Sequence, residues 1–169
     1  REGVDKRIDV LATAIQCGLT APELKELDLA YAPPYSSAKD PVNMAGFMAE
    51  NLLQGVVKQL RLEELERLPR DGSVTLLDVR TEREFARGGL EGFVNIPLDE
   101  LRERMGQLPG DRPVCVVCQS GLRSYVACRI LTAHGFDTVN FAGGLRYYDA
   151  VVRDRRLVER SAPCGMDME

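Results

Sequence analysis

The pattern of apolar and polar positions changes character near Gly55. Before it, apolar residues recur at helical spacing: Ile8, Leu11, Ala12 and Ile15 share one face, with Asp5 as the expected N-cap and Gly18 as the stop. A short helix is expected over Ala21–Leu27. Leu29–Ser37 reads as a strand or extended segment, because Pro33 and Pro34 exclude helix there. Asp40 followed by Pro41 starts another helix, and Met44, Met48 and Leu52 fall on one of its faces up to Gly55. This front section has helices with almost no sheet to pack them on. It reads as the tail of a domain whose beginning lies elsewhere.

From Val56 onward short apolar strands alternate with amphipathic helices. Strands are expected at Val56–Leu60, Val74–Val79, Phe93–Ile96, Val114–Val117 and Thr138–Phe141. Helices are expected at Leu62–Leu68, after a capping box formed by Thr81 and Glu84, across Leu98–Leu108, from about Arg123 to His134, and from about Leu145. Such alternation predicts an α/β domain of three layers, a mainly parallel sheet with helices on both faces. Residues 153–169 are polar, contain Pro163 and Gly165, and are expected to fray as a flexible tail.

Composition narrows the class. The chain has 169 residues, room for one domain or a little more, and its 44% hydrophobic content suffices for a core. A formal charge of −4 argues against a nucleic-acid partner, which would need a concentrated basic surface. No apolar run approaches the ~20 residues that span a bilayer, and no basic-then-apolar leader opens the chain, so no membrane partner is expected. Five cysteines, an odd number, do not suggest a secreted disulfide framework. A reducing, cytoplasmic setting with a reactive thiol is the expectation. Arg1 in place of an initiating Met suggests a piece of a longer polypeptide.

The chemistry gathers at Val114–Ser124. A β-branched strand runs into Cys118, then a polar loop of Gln119, Ser120, Gly121 and Leu122, then a helix opening with Arg123 and Ser124. In open α/β sheets, ligands bind outside the carboxyl end of a strand, at a helix N-terminus. Unpaired N–H groups and the helix dipole converge there, Gly121 lets the loop curl, and Arg123 adds a permanent cation. Together they should favour the Cys118 thiolate and would equally stabilise the terminal sulfur of a persulfide. Cys115 in the strand and Cys128 in the helix read as small core hydrophobes.

Three rival chemistries use a cysteine in this setting. A redox or zinc pair at Cys115 and Cys118 fails on strand geometry, since residues three apart point to opposite faces, and no second ligand pair is spaced for zinc. A Cys–His hydrolase needs an imidazole beside the thiol. His134 lies eleven residues beyond Arg123, roughly 16 Å along a helix, and reads instead as a residue favoured at a helix C-terminus. A Cys-and-Arg phosphatase remains the serious rival, because the same cradle binds phosphate.

Four segments in order, Leu76-Leu-Asp78-Val-Arg80, Gly92-Phe-Val-Asn-Ile-Pro97, Cys118-Gln-Ser-Gly-Leu-Arg123-Ser and Ala142-Gly-Gly144, resemble the motifs of a rhodanese, or sulfurtransferase, domain over residues 56–152. Four residues separate Cys118 from Arg123, as in rhodanese loops, where related dual-specificity phosphatases place five. One departure is Gly88-Gly-Leu-Glu-Gly92, where the family often has Gly-His-Ile-x-Gly. The resemblance implies a persulfide relay: Cys118 takes up a sulfane sulfur and passes it to an acceptor, with Arg123 and the loop amides stabilising the anion. Asp78 and Arg80 would lie beside it. For Asp78 a structural role, tying adjacent loops, is favoured. Arg80 is balanced between a role at the site and a solvated surface cation.

Residues 1–55 are similar to the end of the dimerisation domain of flavin-dependent coenzyme A-disulfide reductases, carried by Val4–Ile15, Leu27–Ser36 and Lys39–Gly46. Some members of that family carry a rhodanese domain after this segment. The resemblance implies FAD, NAD(P)H and coenzyme A for a parent polypeptide, none of them bound by this chain alone, since no Gly-x-Gly-x-x-Gly follows a strand. It also implies a homodimer through residues 1–55, with small thiols or sulfane-sulfur compounds as substrates, and a tyrosine reaching the partner's active site: Tyr31 first, Tyr35 second. The alternative is a non-catalytic docking or regulatory module on a dimerisation segment.

Overall fold

A computed structural model describes residues 3–34 and 37–160, the last three by backbone alone. The chain divides into two compact units, Arg1–Val56 and Val57–Glu169.

The first unit holds helix α1 (Val4–Gln16), a 3-10 helix at Ala21–Glu26 and helix α2 (Pro41–Leu53). Its described residues contain no strand, so the extended segment after Leu27 has no pairing partner among them. The α1 N-cap is Gly3 rather than Asp5, which sits in the first turn and complements the helix dipole. Asp40 caps α2 as its sequence predicts: the side chain accepts from Val42 N at 3.0 Å, with Pro41 at the first helical position. Arg7 clasps Asp40 from α1, with Nε 3.0 Å from Oδ2. The buried face of α2 is Val42, Asn43 and Gly46. Gly46 is obligatory there, since a Cβ would stand 2.4 Å from Lys25 N. The apolar stripes point outward: Ile8 and Ile15 of α1 and Met44, Met48 and Leu52 of α2 are all exposed. Periodicity identified the apolar faces correctly, yet what α1 buries is Ala14.

The second unit is a three-layer α/β domain. Strands β1 (Lys58–Leu60), β2 (Thr75–Asp78), β3 (Val94–Asn95), β4 (Val114–Val117) and β5 (Thr138–Phe141) form one all-parallel sheet in the order β1-β5-β4-β2-β3. Helices α3 (Leu62–Glu66), α4 (Glu82–Phe85), α5 (Leu101–Arg104), α6 (Leu122–Ala133) and α7 (Gly144–Arg160) connect and cover it. Every residue of β4 is buried, as a central parallel strand covered on both faces requires, and this is why its sequence is unbroken Val-Cys-Val-Val. On one face Leu76, Cys115, Val117 and Phe141 pack with Leu62, Leu65 and Phe93. Alternation turns Leu77, Val114 and Val116 the other way, toward the side on which α6 buries Ala127 and Leu131.

One expectation needs correcting. The helix expected across Leu98–Leu108 is broken into a 3-10 turn, the single turn of α5 and a second 3-10 turn, Met105–Gln107, which contains Gly106. Helix α7 runs to Arg160, and Arg155 donates to Glu66 of α3 at 2.6 Å. Residues 161–169 lie outside the described part.

Candidate active site

Strand order places the site. The chain leaves β2 toward β3 on one side and leaves β4 toward β5 on the other, so adjacent strands β2 and β4 send their connections in opposite directions. The crevice between such connections is where open α/β sheets bind ligands. Cys118 follows β4 there, and Asp78 ends β2, paired in register with Val117.

Cys118 is buried, its Sγ accepting from Gly121 N at 3.1 Å and from Ser124 Oγ at 3.3 Å. Gly121 caps α6 with φ 94°, the left-handed conformation that turns its N–H back to the sulfur. The loop is closed from the other side by the Ala142–Gly144 turn. Leu145 N donates to Cys118 O at 2.9 Å and Arg146 N to Gln119 O at 3.0 Å. A Cβ on Gly144 would lie 2.4 Å from Cys118 O, and one on Gly121 would lie 2.8 Å from Gly143 N. The glycine pair of the fourth motif is thus the space into which the thiol loop fits. Asn140 of β5 braces it further, with Nδ2 donating to Gln59 at 2.9 Å and reaching the Gly121 carbonyl at 3.5 Å.

Arg123 reaches across to α4. Its guanidinium forms a two-pronged ion pair with Glu84 of α4, both contacts 2.7 Å. Glu84 Oε2 also accepts from Thr81 N and Thr81 Oγ, at 3.0 and 2.9 Å, completing the expected capping box. The Arg123 guanidinium above all, with the Thr81 bonds, holds the Glu84 carboxyl at about 2, and Glu84 in turn raises Arg123. Sequence reasoning saw Glu84 only as a cap. No local signal could pair it with a residue thirty-nine positions on.

Asp78 and Arg80 form a closed, buried pair. Arg80 donates through Nε to Asp78 Oδ2 at 2.9 Å and through its backbone N to Oδ1 at 2.9 Å, and its remaining fork reaches Gly88 O at 2.8 Å. Asn95 of β3 ties both carbonyls, 2.9 and 2.8 Å away. Arg80 is only 4% exposed, so the expectation of a solvated surface cation is corrected to a buried one. Gly89 makes room for it, since a Cβ there would stand 3.1 Å from Arg80 Nη2.

Cys115 and Cys128 are buried thiols pushed up to about 12 by desolvation, which keeps them protonated and unreactive. His134 closes α6, its Nδ1 2.8 Å from Ile130 O. Tyr31 belongs to the first unit and is half-exposed; Tyr35 lies outside the described residues. Among those residues no cluster of His, Cys, Asp and Glu could hold a metal, and no helix is long and apolar enough to cross a membrane.

An all-parallel sheet with a buried thiol held by one amide and one hydroxyl at the end of its central strand defines an α/β domain built around one cysteine. The chain belongs to the rhodanese-like domain family, which matches residues 61–150. A sulfurtransferase of Allochromatium vinosum is 37% identical over 92 residues, 53% of this chain and 86% of its own length. The crystal structure of reduced Bacillus anthracis CoADR-RHD superposes with a TM-score of 0.86 at 47% identity, covering 92% of this chain and 28% of that one. A NAD-dependent persulfide reductase from A. fulgidus gives a TM-score of 0.72 at 45% identity, over 84% of this chain and 25% of that one. The chain therefore spans about a quarter of the length of these two structures. The second unit is a sulfurtransferase-type module.

Proposed function

We propose that Cys118 carries sulfane sulfur as a persulfide. The observation that carries this reading is the donor set on Sγ, the Gly121 N–H and the Ser124 hydroxyl, at a strand end where the next residues curl into a helix N-terminus. In the step with thiosulfate, the Cys118 thiolate attacks the outer sulfur. The new S–S bond forms as the old one breaks, and sulfite leaves with the bonding pair. An acceptor thiolate then attacks the outer sulfur of Cys118–S–S⁻ and returns the thiolate. Asp78 and Arg80 fix the neighbouring loop and take no part in the transfer. The Gly121 amide and the Ser124 hydroxyl stabilise the anionic sulfur, and Arg123 contributes only as far as its pairing with Glu84 leaves its charge free.

We further infer that this module serves a flavin-dependent reductase acting on coenzyme A disulfide, persulfide or polysulfide, with FAD, NAD(P)H and coenzyme A bound by other residues of that polypeptide. Two reductase structures that match most of this chain support the reading. On this reading residues 1–55 end a dimerisation domain, the exposed stripes of α1 and α2 are covered in a homodimer, and Tyr31 or Tyr35 approaches the partner's reductase site.

Intact-mass measurement after thiosulfate or polysulfide treatment tests the transfer. An adduct about 32 Da heavier, lost in Cys118→Ser and released by a small thiol, is expected. No adduct with any donor would overturn the persulfide reading and favour a docking module.

A further inference from the structure

The cation that follows the thiol loop, Arg123, is held in an ion pair. Arg123 opens α6 three residues after Ser120, but both prongs of its fork are held by Glu84 at 2.7 Å. The carboxylate is itself fixed, because Oε2 accepts from the Thr81 backbone and hydroxyl at the start of α4. Arg123 is therefore brought to an anchored anion, and the pair carries no net charge. About a third of each side chain is exposed. Among the described residues, the hydrogen bonds to the sulfur come from neutral donors, the Gly121 amide and the Ser124 hydroxyl.

We propose that Glu84 is a positioning residue that masks the charge of Arg123, holding Cys118 below the reactivity that an unpaired guanidinium would give it. The inference rests on the reading of Cys118 as a sulfur-carrying nucleophile and adds to it a residue that sets how strongly the loop attracts negative charge. The other charged or titratable groups on the surrounding elements do not replace this function. Asp78 and Arg80 at the end of β2 are paired with each other. Cys115 of β4 and Cys128 of α6 stay protonated. Arg146 of α7 meets the loop through its backbone N–H, on Gln119 O, with its residue exposed. Glu84 remains ionised throughout the range in which thiols titrate, so the mask is constant with pH.

The test is the rate of alkylation of Cys118 by iodoacetamide in the full chain, followed at its own peptide by mass spectrometry across a pH series. Glu84→Gln keeps shape and one acceptor but removes the anion. Its Cys118 should react roughly threefold to tenfold faster at neutral pH, with the profile moved to lower pH. Arg123→Gln, which leaves the anion alone, should slow the reaction. The double variant, an uncharged pair of similar volume, should stay within about twofold of the parent. A Glu84→Gln profile that overlays the parent overturns the inference. So does a double variant as slow as Arg123→Gln, which would mean that the guanidinium acts unmasked; this arm decides if Glu84→Gln alone does not fold. Persulfide formation by the parent is read separately. Failure there removes the sulfur-transfer reading without touching the masking, and masking can fail while the persulfide still forms.

Discussion

Two loops leave the carboxyl ends of adjacent strands, one after β2 and one after β4, and they treat charge in opposite ways. After β2 a full ion pair is buried, with Asp78 and Arg80 satisfying each other and the backbone around them. After β4 no charged group among the described residues bonds to the buried sulfur, which is met by an amide and a hydroxyl. Formal charge is thus consumed in fixing the first loop. The buried sulfur is served by neutral donors instead. The helices that follow the two loops are joined by the Arg123–Glu84 pair, which is partly exposed.

The contrast breaks hardest at Asp78. Asp78→Asn leaves the Arg80 guanidinium buried without its counter-charge and should cost about 3–5 kcal/mol in urea unfolding of the second unit. A loss below about 1 kcal/mol would show that the pair is not what holds this loop. A smaller effect is expected at Gly144, where φ is 61° and a Cβ would run into Cys118 O. Gly144→Ala should cost about 1–3 kcal/mol, and persulfide formation should fall by more than its stability loss alone explains. Wild-type transfer in this variant would mean the loop does not depend on the turn that abuts it. The smallest change sharpens the comparison at the sulfur. Ser124→Ala removes one neutral donor and should slow persulfide formation roughly fivefold, about 1 kcal/mol, while the melting temperature stays nearly constant. A large drop in melting temperature would make Ser124 a packing residue instead.

Much of this was legible along the chain because the information was local. Val114–Val117 and Thr138–Phe141 are the strands their apolar runs announce, and α6 begins one residue before and ends one residue before its expected limits. Cys118 stood out because a buried strand empties into a polar, glycine-containing loop followed by a cation. What escaped was long-range. Glu84 showed its local duty as a cap and concealed its second partner. Arg80 read equally well as a surface cation, since burial of a charge depends on the carboxylate two residues before it and on space left by Gly89. Gly143 and Gly144 were visible as a motif, but their reason, the approach of a loop some twenty-five residues earlier, exists only in three dimensions. The helices of the first unit show the same limit from another side, because periodicity names an apolar face without naming its cover.

The backbone ties between the thiol loop and α7 have an electrical consequence. In a trans peptide the C=O and N–H point in opposite directions. Anchoring the carbonyls of Cys118 and Gln119 on the amides of Leu145 and Arg146 therefore turns the N–H groups of Gln119 and Ser120 away from α7. The loop becomes a one-sided layer of dipoles whose polarity is set by hydrogen bonds behind it. Such a layer cannot be titrated and has no mobile charge for salt to screen. The ionic contribution of Arg123 can be tuned by its partner or by the medium, while the polarity of this layer is fixed as long as the first turn of α7 stays folded against it.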